Sequence, residues 1–94
     1  VVDMPINRTY TLVESFPNPF NPSTNIMLTL PFSANVKVEI HDILGQLVET
    51  LASGYMVANT YTFEWNASDF SSGVYFIKTE INHSITMQKI MLLK

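Results

Sequence analysis

His41 and His83 are the side chains whose ordinary titration range could support acid–base chemistry or metal ligation near neutral pH. Neither has a second ligand at a useful spacing, and each falls at an outward or turn position, so a solvated surface role is expected. Asn66, Ser68 and Asp69, with Glu64 upstream, gather oxygen donors of the kind a calcium ion prefers. Their spacing is not that of an EF-hand, and an Asx-turn capping a strand end accounts for the same residues. Trp65 with Tyr61 would suit sugar stacking, but strict alternation with Phe63 turns all three rings toward a core. The chain has no Gly-rich phosphate loop, no G-x-S-x-G and no H-E-x-x-H. Without cysteine it has no disulfide, thiolate nucleophile or Cys-based zinc site. Sequons at Asn7, Asn66 and Asn82 matter only in a glycosylating host. These residues point to a non-catalytic module that uses no metal and no cofactor.

The elements that would position them are strands. Tyr10 to Glu14 reads as a first strand, with Tyr10 and Leu12 on one face. Phe16-Pro17-Asn18-Pro19-Phe20-Asn21-Pro22-Ser23-Thr24 holds three of the five prolines. Proline fixes φ, removes a donor and pushes its predecessor toward extended backbone, so a stiff irregular crossing is expected here. Asn25 to Leu30 alternates, and Val36 to Asp42 more clearly, with Val36, Val38 and Ile40 inward. Asp42-Ile43-Leu44-Gly45 is a turn, with aspartate first and glycine last. Gln46 to Leu51 reads as a short edge strand, and Ser53-Gly54 as the next turn. Thr60 to Asn66 carries the aromatic face, and Asn66 to Gly73 reads as polar loop. Val74 to Ile81 and Ser84 to Leu93 flank a tight Asn82-His83 hairpin. The last strand is apolar on both faces, so its pattern does not assign an inner side. The expected fold is all-β: a seven-stranded antiparallel immunoglobulin-like β-sandwich without a disulfide.

Ninety-four residues make one domain. A net charge of −3 with scattered Arg8, Lys37, Lys78, Lys89 and Lys94 disfavours nucleic-acid binding. No apolar run reaches the ~18 residues of a membrane span. Charged residues are 14% of the chain against about a quarter in ordinary soluble domains, so a surface that is sticky or covered by another molecule is expected. Residues 1–9 read as linker from a preceding domain and residues 10–94 as one domain.

Four motifs in order carry a family resemblance. Tyr10-Thr11-Leu12 with Pro17-Asn18-Pro19-Phe20-Asn21-Pro22-Ser23-Thr24 resembles the opening of the C-terminal sorting domains of the type IX (Por) secretion system. Val36 through Val48, with Gly45-Gln46 at its corner, is similar to the family's strand-turn-strand. Ser72-Gly73-Val74-Tyr75-Phe76 is similar to its "SGVYF" strand, and Lys89-Ile90-Met91-Leu92-Leu93-Lys94 to its terminal strand. Two positions depart from the pattern: Asn59 stands where the family often has glycine, and Asn66 where it has aspartate. A left-handed Asn59 would accommodate the first departure.

The resemblance implies a sorting signal that carries an N-terminal passenger across the outer membrane of a Gram-negative bacterium. It implies periplasmic transit, recognition by an outer-membrane translocon, and in many members removal by a sortase-like peptidase with attachment at the cell surface. An apolar terminal strand suits edge pairing, so Lys89 to Lys94 is expected to be read by the translocon, and alanine at Lys89 or Leu92 to abolish export. The same edge suits dimerisation of the isolated domain. Competing readings are an immunoglobulin-like spacer or assembly module, with flagellar hook-cap proteins carrying a similar "SGVY" strand, and an accessory carbohydrate-binding module of a secreted hydrolase.

Overall fold

Alternating apolar and polar side chains dictate strands along this chain, because successive residues of a strand face opposite sides of its sheet. The computed structural model describes residues 12–16 and 22–93, in which strands form and no helix does. The strands are β1 (Leu12–Phe16), β2 (Ser23–Leu30), β3 (Ala34–Asp42), β4 (Leu47–Met56), β5 (Asn59–Asn66), β6 (Gly73–Ile81) and β7 (Ser84–Leu92). One sheet has the order β1-β2-β5 and the other β4-β3-β6-β7, with every pairing antiparallel.

The inner faces of both sheets share one core. Ile26, Leu28, Leu30 and Trp65 come from the three-stranded sheet, and Val36, Val38, Ile40, Tyr75, Ile77, Ile90 and Leu92 from the other. Removing that apolar surface from water is the main stabilising term, at about 25 cal/mol per Å². The rings of Trp65 and Tyr75 meet edge to face across the two sheets, with centroids 5.3 Å apart, and Phe70 closes the cluster at 5.8 Å from Trp65. The aromatic face expected on β5 is present, with Trp65 fully buried and Tyr61 and Phe63 half-buried against the core.

Several expectations need correction. The first strand extends beyond Glu14 to Phe16, and the second begins at Ser23. Phe16 pairs with Asn25, so the residues on either side of the proline-rich stretch are neighbours in one sheet. Tyr10, Pro17, Asn18, Pro19, Phe20, Asn21, Lys94 and the 1–9 linker lie outside the described residues. The Gln46 to Leu51 strand runs on to Met56, and Ser53-Gly54 is ladder, paired with Lys37 and Val36. Pairing with β3 outweighs the local turn signal. Leu51 and Val48 are extra residues in that ladder, bulged where the register shifts. The polar loop after Asn66 is not wholly solvated, because Ala67 is buried and Phe70 packs on Trp65. The left-handed non-glycine residues among those described are Asn82 and His83, so Asn59 is not one of them.

Candidate functional site

Two of the side chains that could do chemistry, those of His41 and Asn66, are used for local structure. His41 lies half-buried, its Nε2 3.0 Å from Glu39 Oε1 and its Nδ1 3.1 Å from the Gly45 carbonyl. Both partners are acceptors, so either neutral tautomer makes one of the two bonds. His41 therefore ties β3 to its turn and is not the isolated surface side chain expected. Asn66 Oδ1 accepts the Ser68 N–H at 3.0 Å, which is the Asx-turn reading of that loop. Among the described residues no three His, Cys, Asp or Glu side chains gather as a metal site.

The residues singled out by motif are brought together by pairing. Gly73, Val74 and Tyr75 of β6 lie opposite Leu92, Met91 and Ile90 of β7. Tyr75 also lies opposite Asp42, which opens the Gly45 turn. Thr24 is buried and lies opposite Trp65, whose ring meets Tyr75. Four separate stretches of sequence thus converge at one end of the molecule. Gly73 has φ +152° and Gly45 +84°, values that disfavour a Cβ, so glycine is required by backbone at both.

The terminal strand has two unlike faces. Ile90 and Leu92 are buried, whereas Ile85, Met87, Met91 and Leu93 are exposed. Of the six residues expected to be read by a partner, Ile90 and Leu92 therefore belong to the core, which corrects Leu92 as a recognition probe. Lys89, Met91 and Leu93 lie on the outer face of the strand. β7 stands last in its sheet's strand order among the described residues, and its ladder to β6 is unbroken from Ser84 to Leu92. At the opposite margin, β4 carries two bulges, a feature that blunts edge pairing.

The turn after β3 is the other exposed apolar feature. Gly45 N–H donates to the Asp42 carbonyl at 3.0 Å, and Asp42 Oδ1 accepts both Leu44 N–H and Gln46 N–H at 2.9 Å. The backbone is fixed, yet Ile43 is 69% and Leu44 80% exposed. The turn was legible in the sequence; that its two central aliphatic residues form an exposed knob was not drawn from it.

A protein-family model described as "Secretion system C-terminal sorting domain" matches residues 14–93. No curated protein matches. Among solved structures, the chain is similar to PorZ, described as an essential bacterial surface component of the type-IX secretion system of Porphyromonas gingivalis, with 24% identity and a TM-score of 0.61. The match covers 87% of this chain and 11% of PorZ, and at that identity it speaks to fold alone.

Proposed function

Because the chain belongs to the family of secretion system C-terminal sorting domains, we propose that it directs an N-terminal passenger across the outer membrane by the type IX route. The observation that carries this reading is the family match over residues 14–93. The convergence of Gly73-Val74-Tyr75 with the terminal strand supports it, since motif residues that share one place in the fold can share one role. The domain performs no chemistry in this reading. Residues 1–9 are linker, a translocon reads the folded domain through the outward residues of the Lys89 to Lys94 segment, and a sortase-like peptidase removes it before the passenger is fixed at the cell surface.

We also propose that the sandwich is of the seven-stranded immunoglobulin-like kind. Two tyrosine hydroxyls donate to carbonyls four residues upstream: Tyr75 to Ser71 at 2.7 Å and Tyr61 to Val57 at 2.6 Å. Such corners, with a buried tryptophan, recur in sandwiches of that class.

The test is export of a fluorescent reporter, preceded by a signal peptide and placed ahead of Val1, in a type IX-competent bacterium and in a translocon-null strain. Fluorescence outside the cell that the null strain lacks is the expected result. A reporter that stays in the periplasm of both strains favours the spacer reading and ends this one.

A further inference from the structure

The outer face of the four-stranded sheet is unevenly apolar. Toward the Asn82-His83 end it is laced with charge, Lys37 lying opposite Glu80 and Glu39 opposite Lys78. Toward the other end, one row runs from Leu47 through His41 and Phe76 to Lys89, and the next pairs Val74 with Met91. Leu47 is 55%, Met91 37% and Leu93 48% exposed, with Val74 and Phe76 half-buried between them. Beyond β3, the turn adds Ile43 and Leu44. Polar residues ordinarily fill the centre of an exposed turn. Here two aliphatic side chains occupy it on a backbone held by Asp42, so they are presented without slack.

We propose that this end face is a composite docking surface for an apolar surface on a protein of the export machinery, which reads Ile43, Leu44 and Leu47 together with Met91 and Leu93. The inference rests on the sorting reading and deepens it. The signal becomes a patch assembled by folding, and the last residues of the chain are one part of it. Two observations choose this occupant. First, the described chain enters β1 at Leu12, opposite Thr29, at the end of its sheet away from Thr24 and Trp65, so its entry and the proposed face lie at opposite ends. Second, the five side chains leave on the order of 500 Å² of apolar surface in water, typical of a functional patch on a monomer and below the ~800 Å² per partner of a stable interface. A contact of that size suits a machine that must release its cargo better than a permanent dimer.

The test uses the reporter fusion with Ile43→Ser and Leu44→Ser together, Leu47→Ser separately, and Thr62→Asp on the exposed outer face of the other sheet as control. Each serine variant should lower exported fluorescence by about tenfold or more, as loss of a central contact does. The purified serine variants should melt within about 2 °C of the parent, and the control should export normally. Normal export of both serine variants overturns the inference while leaving the sorting reading standing. A parent fusion exported by neither strain removes both. A parent dimer in sedimentation that the serine variants dissolve, with export unchanged, assigns the face to a second copy and also overturns it.

Discussion

Asn82 and His83 show how much a single position can ask of its residue. Both have positive φ, +47° and +78°, as the centre of a two-residue hairpin of the primed kind demands. Asparagine tolerates that backbone, and its side chain is also used: Asn82 Oδ1 accepts the Asn35 N–H, and Asn82 N–H donates to the Asn35 carbonyl, each at 3.0 Å. His83 has no such compensation in its backbone, and a left-handed L-residue costs roughly 1–2 kcal/mol. Glycine removes that cost but adds about 0.4–1 kcal/mol of unfolded-state entropy. His83→Gly should therefore stabilise the domain by about 0.5 kcal/mol and raise Tm by roughly 2–4 °C in thermal denaturation. A lower Tm would mean that the histidine ring contributes more at this turn than its backbone costs.

Strand β7 shows what a pattern can and cannot specify. Alternation was legible in β3 and β5, where the opposite face is polar, and the inward residues expected there, Val36, Val38, Ile40 and Trp65, are buried. It failed on β7 because Met87, Met91 and Leu93 on one side are as apolar as Ile90 and Leu92 on the other. Only pairing with β6 and packing against Trp65's sheet decide between them. The length of β4 was hidden for a different reason: its two bulges break the period of two, so Val48, Leu51 and Ala52 all reach the core from irregular spacing. Ala67 and Phe70 were hidden because their loop turns inward for tertiary reasons alone, with Ala67 N–H donating to the Pro22 carbonyl at 2.9 Å. The motif residues themselves could be picked out, but their meeting at one end follows from pairing between distant stretches. The two faces of β7 make a direct comparison. Leu92→Ala leaves a cavity in the core and should cost about 2–5 kcal/mol in denaturant unfolding, whereas Leu93→Ala should stay within about 0.5 kcal/mol. Equal losses for the two would mean that the outer face is packed as firmly as the inner one.

At the scale of the whole molecule, the two sheets are held by one core and not by a ladder between them. No strand of one sheet pairs with a strand of the other among the described residues. Trp65 stands where they meet: it is fully buried on β5 and touches Tyr75 of β6. It is also the single tryptophan in the chain, so its fluorescence reports the docking of sheet on sheet. Far-ultraviolet circular dichroism reports the strands themselves. A small sheet has one solvated face and cannot retain its inner face in water alone, because the apolar surface it would expose is the main source of its stability. The two signals should therefore fall together in urea, with the same midpoint, as a single cooperative transition. Tryptophan emission that shifts at lower urea than the dichroism would show the sheets parting before they melt. In the proposed role, where a secretion machine engages the folded domain, cooperative unfolding keeps the composite face either whole or absent. Separable sheets would instead let the β3–β4 turn and the terminal strand stay together on the four-stranded sheet after the other sheet had gone, and export would then tolerate core changes in β2 and β5 that abolish Trp65 burial.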